Sequence, residues 1–356
     1  MQRALRLAER GLYTTDPNPR VGCVIVKGGD IVGEGWHRRA GEPHAEILAL
    51  SKAGDKAAGS TVYVTLEPCS HYGKTPPCAE ALVSAGVARV VAAMQDPNPA
   101  VAGSGFQHLQ QQGIDVETGL LEQAARKVNP GFIKRMESGR PYVRIKLAMS
   151  LDGRTAMASG ESQWITSAAA RTDVQRLRAR SSVILTGIDT VLHDDPSLNV
   201  RLTPEQLGIA GDVRQPHRVV LDSHLRFPPD AKMLTLAGRT TVLTTQQGDG
   251  VPGCDIVSIE AIAGQLDLQR VMSWLDRNQA NEVLVEAGAT LCGALLQRKL
   301  VDEIVVYIAP HIMGSHARGL FSIPGLEHMT DRIRLNIMDV RQLGEDLRIT
   351  AVPVDN

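Results

Sequence analysis

The chain has little net charge, no long apolar run and no export-type opening. Its 38 Lys and Arg against 39 Asp and Glu leave a formal net charge of −1. Wholesale nucleic-acid binding usually needs a basic excess, so no nucleic-acid partner is expected. No uninterrupted apolar stretch approaches the ~20 residues that cross a bilayer, so no membrane partner is expected either. Residues 1–10 read as a short amphipathic helix rather than a signal peptide. Cysteine is sparse and odd in number: Cys23, Cys69, Cys78, Cys254 and Cys292. An odd count without an export signal predicts reduced thiols and a cytoplasmic setting. No Gly-x-Gly-x-x-Gly joins a strand to a helix, and Gly103-Ser104-Gly105 lacks the third glycine, so an ordinary Rossmann site is excluded. Internal repeats and low-complexity tracts are absent too.

What is present is a folded, two-domain composition. Hydrophobic residues make up 43% and charged residues 22%, and 356 residues exceed what one ordinary core organises. Apolar β-rich runs at 21–26 and 31–36 flank Lys27-Gly28-Gly29-Asp30, a hairpin signal. Helical spacing follows over 44–53, ended by Gly54. Then come a strand at 61–66, a helix at 79–85, a strand at 89–94, a helix near 106–112, a strand at 114–118 and a helix from 121 to about 136. This order predicts a three-layer α/β/α sandwich. Gly139-Arg140-Pro141 marks a boundary, since Gly ends helices and Pro does not continue them. The expected domains are therefore 1–140 and 141–356. The second is also α/β, with strands at 142–149, 183–186, 218–222, 240–244, 282–286 and 303–308, and an irregular excursion at 198–215.

The chemistry concentrates at Pro43-His44-Ala45-Glu46 and at 67–78, Glu-Pro-Cys-Ser-His-Tyr-Gly-Lys-Thr-Pro-Pro-Cys. His44, Cys69 and Cys78 can hold Zn²⁺ with a fourth position open, which distinguishes a catalytic from a structural zinc. Glu46 can carry protons to and from a water there, the order used by zinc nucleobase deaminases. His-x-Glu alone is common in helices, and buried cysteines or a structural zinc are the plain alternatives. Order and context favour the catalytic reading: His44 starts a helix and Pro68-Cys69 follows a strand. Two residues usually separate the paired cysteines, whereas eight separate Cys69 from Cys78. In the second half the best cofactor signal is the strand 282–286 running into a Gly-bearing turn and helix at 287–294. Tight strand–helix packing explains that pattern equally well.

Further stretches sharpen the reading: residues 16–26 (Asp-Pro-Asn-Pro-Arg-Val-Gly-Cys-Val-Ile-Val), 146–156 (Lys-Leu-Ala-Met-Ser-Leu-Asp-Gly-Arg-Thr-Ala), Leu185-Thr186-Gly187, Asp194-Asp195-Pro196 and Val285-Glu286-Ala287-Gly288. With these, the chain resembles the bifunctional deaminase/reductase family of riboflavin biosynthesis over nearly its whole length. The eight-residue gap is characteristic of that family, and the N-terminus looks a few residues short of the family's usual opening helix. The resemblance implies a cytidine-deaminase-like first domain and a dihydrofolate-reductase-like second domain. It implies hydrolysis of the 2-amino group of 2,5-diamino-6-ribosylamino-4(3H)-pyrimidinone 5′-phosphate, then reduction of the resulting aminouracil's ribosyl group by NADPH. It also implies one Zn²⁺ per chain, a phosphorylated pyrimidine as substrate, and a homo-oligomer, dimer or tetramer.

Carried over residue by residue, Asn18, His37, His71, Lys74 and Asn98 contact the deaminase substrate. Lys74 supplies charge for the 5′-phosphate, while His37 and Asn98 also suit plain loop or turn positions. In the second half Ala148, Trp164, Thr190, Asp194, Gly288, Ala289, Thr290, Leu291, Cys292, Gly293 and Ala294 meet NADPH. Ser162, Arg178, Leu198, Arg201 and Glu286 meet the substrate, with Arg178 and Arg201 as phosphate clamps. Lys146, Asp152 and Glu286 are the ionisable candidates for the proton donor. Two other readings stand beside this one. One is a zinc deaminase of free cytidine-type nucleotides or tRNA adenosine with an assembly domain; the other is a binding protein with a structural zinc.

Overall fold

The computed structural model describes residues 1–70, 77–248 and 251–354. The chain divides into two compact units, Met1–Arg140 and Pro141–Asn356.

The first unit runs α1 (Gln2–Glu9), β1 (Gly22–Lys27), β2 (Asp30–Trp36), α2 (Ala45–Ala53), β3 (Thr61–Val64), α3 (Cys78–Ser84), β4 (Arg89–Ala92), α4 (Ser104–Gln111), β5 (Asp115–Thr118), α5 (Glu122–Val128) and α6 (Pro130–Ser138). Its five strands lie in the order β2-β1-β3-β4-β5. β1 pairs antiparallel with β2 and β3, whereas β3, β4 and β5 are parallel. Alternation along β1 sends Cys23 and Ile25 to one face, against α2, α3 and α4, and Val24 to the other, against α1. The three layers anticipated from the order of elements are there. Helix α2 lies so close to β2 that a Cβ at Gly33 would stand 2.2 Å from the Ala49 carbonyl, and one at Gly35 2.4 Å from that of Ala45. Glycine alone permits this approach, and it fixes where α2 begins.

One expected helix is two. The run from 121 breaks at Asn129-Pro130, because Pro disfavours helical geometry in its predecessor and brings no N–H of its own. The freed Asn129 side chain accepts from Arg20 N at 2.8 Å and donates to Arg20 O at 2.9 Å. That pairing ties down the 16–20 segment bearing Asn18.

The second unit runs β6 (Tyr142–Ser150), β7 (Arg154–Ala156), α7 (Ala168–Arg180), β8 (Val183–Gly187), α8 (Ile188–Asp194), α9 (Pro204–Leu207), β9 (His217–Leu221), β10 (Thr240–Thr244), β11 (Asp255–Ser258), β12 (Ala261–Ile262), β13 (Gln265–Leu266), α10 (Leu268–Arg277), β14 (Glu282–Val285), α11 (Ala289–Gln297), β15 (Glu303–Ala309), β16 (Arg318–Gly319), β17 (Leu335–Leu343) and β18 (Asp346–Pro353). Nine strands form one sheet in the order β11-β10-β9-β8-β14-β6-β15-β18-β17. β11 through β15 are parallel, and β18 and β17 extend the edge antiparallel. Buried runs such as Val183, Ile184 and Leu185, with Val283, Leu284 and Val285, are typical of parallel strands covered on both faces. The 198–215 excursion is irregular apart from α9, which Thr203 and Gln206 close with a capping box. The β17–β18 hairpin has no counterpart in the sequence reading. β17 is exposed along most of its length, so no buried periodicity marks it.

Candidate active sites

In the first unit three segments converge. His44 caps the start of α2 in extended geometry without using its side chain as a cap. Cys78 opens α3, and its N–H donates to Cys69 Sγ at 3.3 Å. The ligand atoms of His44, Cys69 and Cys78 all lie within 4.8 Å of one another. His44 Nδ1 stands 3.2 Å from Cys78 Sγ and 3.6 Å from Cys69 Sγ. A tetrahedral zinc with Zn–S near 2.3 Å and Zn–N near 2.0 Å sets S···N separations of about 3.5 Å. The donor set therefore fits the metal and, among the described residues, supplies three of a tetrahedral site's four ligands.

Glu46 sits in the first turn of α2, 3% exposed, and its Oε2 has no hydrogen-bond partner among the described residues. A buried carboxylate oxygen without a partner is costly unless a polar occupant faces it. Burial, reinforced by the Cys69 charge, pushes Glu46 up to about 7. The hydrogen bond with Cys78 pulls the Cys69 thiol well below its ordinary value, and His44 adds to this against burial.

Beside the metal set, His37 is buried with its ring edge-on to His44, the centroids 5.3 Å apart. Its Nδ1 lies 3.3 Å from the Pro43 carbonyl and its Nε2 3.1 Å from Asn18 Nδ2. The pattern fits a neutral ring donating from Nδ1 and accepting at Nε2. Burial likewise holds its pKa below the ordinary value. Asn98 lies in a turn of its own making: its N–H donates to Asp96 Oδ1 at 2.9 Å, and its Oδ1 accepts from Ala100 N at 3.1 Å. His71 and Lys74 lie outside the described residues.

In the second unit a cavity of about 1650 Å³ opens beside the ends of the central strands. Its wall includes Ala148, Ser162, Trp164, Arg178, Thr190, Asp194, Leu198, Arg201, Glu286, Gly288, Ala289, Thr290, Leu291 and Ala294. Two candidates fall elsewhere. Cys292 is fully buried in the main core, and Gly293 packs under Ser322, where a Cβ would stand 2.1 Å from its carbonyl. They face inward because α11 shows only one side to the cavity. Trp164 is 70% exposed with the Arg171 guanidinium 4.8 Å from its ring centroid, so it is no core tryptophan.

Arg178 is not a free clamp. It donates to both oxygens of Glu286, at 2.6 and 3.0 Å, and to the Asn199 carbonyl at 3.0 Å. Burial pushes Glu286 up, but Arg178, Lys146 and Arg201 together hold it below its usual range. Burial lowers Lys146, against the pull of Glu286. Asp152 is occupied elsewhere, accepting from Ser150 Oγ and from the N–H groups of Met313 and Gly314. At the head of α11, Gly288 offers no side-chain cap and a Cβ there would meet nothing within 4 Å, so the first-turn N–H groups have no side-chain cap among the described residues. A pyrophosphate suits such donors, so the cavity fits a dinucleotide. Ser223, His224, Arg226, Lys232 and Arg298 also reach this wall. No spacing flags them; the general tendency of α/β ligands to sit at strand C-termini was the one available clue.

A family model for the cytidine and deoxycytidylate deaminase zinc-binding region matches residues 1–94, and one for the RibD C-terminal domain matches residues 141–349. The riboflavin biosynthesis protein RibD of Escherichia coli (strain K12) is 55% identical, the match covering 99% of this chain and 98% of that one. The chain belongs to the bifunctional riboflavin-biosynthesis deaminase/reductase family. The Haemophilus influenzae RibD is 50% identical, with 99% and 96% covered. Among solved structures, Acinetobacter baumannii RibD (form 1) matches with a TM-score of 0.92 at 49% identity, covering 99% of this chain and 98% of that one. A diaminohydroxyphosphoribosylaminopyrimidine deaminase/5-amino-6-(5-phosphoribosylamino)uracil reductase from Thermotoga maritima matches at 0.88 and 32%, with 99% and 97% covered. This deaminase/reductase thus pairs a zinc-binding hydrolytic unit with an oxidoreductase unit. No helix among the described residues is long and apolar enough to cross a membrane.

Proposed function

We propose that the first unit deaminates 2,5-diamino-6-ribosylamino-4(3H)-pyrimidinone 5′-phosphate and that the second reduces the product's ribosyl group with NADPH. The observation that carries this is the His44, Cys69 and Cys78 cluster with the buried, half-partnered Glu46 against it.

His44, Cys69 and Cys78 hold Zn²⁺, which when bound lowers the pKa of its water towards roughly 7. Glu46 accepts one proton of the attacking water and delivers it to the ring nitrogen, then carries the second from the newly added hydroxyl to the departing amine, so that the carbonyl forms as ammonia leaves. Its burial keeps this proton from exchanging with solvent. Asn18 and His37 form one hydrogen-bonded wall, and the Asn98 amide NH₂, which has no partner among the described residues, donates to a ring edge. Lys74 supplies charge for the phosphate, and His71 stands with it in the insertion.

In the cavity, the uncapped N–H groups from Gly288 onward receive the pyrophosphate of NADPH, and Ala148, Trp164, Thr190 and Asp194 flank the rest. Bound there, the dihydronicotinamide supplies a hydride. Arg201, exposed, with its guanidinium bonded among the described residues to Asn199 Oδ1 alone, is the phosphate clamp. Arg178 instead orients Glu286 toward the sugar hydroxyls, with Ser162 and Leu198 completing the substrate wall. Hydride transfer depends on such positioning and on water exclusion.

The test supplies purified protein with the diaminopyrimidine phosphate and NADPH, and follows ammonia release and nicotinamide absorbance together. Both signals are expected, ammonia first. Neither signal with verified substrate contradicts the reading.

A further inference from the structure

Glu67 was not among the candidate site residues, yet it carries the densest set of charge-assisted hydrogen bonds described near the metal cluster. It is 5% exposed and stands two positions before Cys69. Its Oε2 accepts from Asp96 N and Gly103 N, each at 3.0 Å, and its Oε1 from Gly105 N at 2.8 Å and Phe106 N at 3.4 Å. Two backbone donors of the loop before α4 and two of its first turn therefore end on a single carboxylate of the metal-ligand segment. Glu67 N–H in turn donates to the Met94 carbonyl at 3.0 Å.

Two neighbours strengthen the grip. The Ser70 and Ser104 hydroxyls lie 2.6 Å apart. Gly105 packs so tightly on Pro68 that a Cβ would stand 2.1 Å from the Pro68 carbonyl, which leaves room only for glycine. Glu67, Pro68 and Ser70 thus clasp the 95–106 loop on either side of the ligand Cys69. That loop carries Asn98. The bonds inside its turn, from Asn98 N to Asp96 Oδ1 and from Ala100 N to Asn98 Oδ1, fix its shape but not its place. The clasp fixes its place.

We propose that Glu67 is a positioning residue for deamination: it sets the height of the Asn98 turn over the metal ligands, and so the fit of the pyrimidine edge. The inference rests on the assignment of Asn98 to the substrate under Proposed function. A carboxylate is the group this task needs, because only acceptors face four N–H groups and the charge strengthens each bond. The amide of Gln keeps one acceptor and turns an NH₂ against the remaining donors.

The experiment compares Glu67→Gln, Asn98→Ala and the double variant in full-length, zinc-loaded protein. Glu67→Gln is expected to keep its zinc and its reductase rate. Its KM for the diaminopyrimidine phosphate should rise roughly tenfold, the scale of one weakened charge-assisted hydrogen bond, with kcat little changed. In the Asn98→Ala background the same change should add nothing to KM. A plain helix cap would leave KM alone or multiply independently with Asn98→Ala, and either result overturns the proposal. If Glu67→Gln loses zinc, Ser70→Ala decides: it removes the second clasp while keeping the Ser104 hydroxyl's own bond to the Val101 carbonyl, and should raise KM in the same direction, and an unchanged KM overturns the proposal. A wild-type chain that releases no ammonia would instead sink the deaminase reading itself.

Discussion

The two units reach their chemistry by opposite routes. In the first, the proposed metal ligands and proton carrier come from a stretch of chain between His44 and Cys78. In the second, the cavity wall is gathered from segments scattered between Lys146 and Arg318. A zinc centre demands particular donor atoms, and only His, Cys and carboxylates provide them, so its residues stand out as types. A dinucleotide cavity is made largely from backbone N–H groups, shape and ordinary side chains, which the sequence uses everywhere for other ends. The difference is one of chemical irreplaceability, and it predicts that single changes hurt the first unit more sharply than the second.

The largest effect should come from Glu46→Gln. General acid–base catalysis contributes about 10²–10⁴-fold, and Gln removes it while keeping the shape. Ammonia release should fall by about that much, with zinc content and NADPH oxidation on pre-deaminated substrate unchanged. An active Gln variant would remove Glu46 from the mechanism.

Next comes a crossed pair. Arg201→Ala should raise KM for the phosphorylated aminouracil roughly tenfold, by loss of a charge-assisted phosphate contact. Lys74→Ala should do the same for the diaminopyrimidine alone. Steady-state kinetics of both half-reactions on each variant gives the answer. If either variant damages both half-reactions, the two phosphate sites are not separate.

The smallest effect concerns the framework of the second unit rather than its cavity. Burial pushes His217, whose Nε2 lies 2.8 Å from Thr241 Oγ1, down to about 4. The unfolded chain therefore takes up this proton first. The stability is fully present above the ordinary histidine value of about 6.5 and is lost as pH falls from there through 4. Discounted for partial exposure, it amounts to about 2 kcal/mol. Denaturant unfolding at several pH values should show wild type losing ground to His217→Asn over that window. A gap independent of pH would contradict the assignment.

Legibility in the sequence followed the same division. His44, Glu46, Cys69 and Cys78 were readable from residue type and order. Most strands were readable from apolar runs bounded by Gly and Pro. Three things were not. The break at Asn129 lay inside a helical pattern, although Pro130 was there to mark it. The exposed strand β17 had no buried periodicity to betray it. Glu67 looked like any acidic residue before a Pro-Cys, because its importance lies in which backbone N–H groups fold back upon it. In the second unit only the resemblance singled out the cavity residues, and it took in Cys292 and Gly293, which the inward side of α11 withholds from the cavity. Arg178 shows the same limit: its type suggested a phosphate clamp, and the fold pairs it with Glu286 instead.

One measurement addresses the central claim, two chemically independent centres in one chain. Zinc is stripped with a chelator and restored while both half-reactions are followed on the same preparation. Ammonia release should vanish and return with about one zinc per chain, while NADPH oxidation on the deaminated substrate stays constant throughout. Deamination that survives complete removal of zinc, or reduction that falls and recovers in step with the metal, would contradict it.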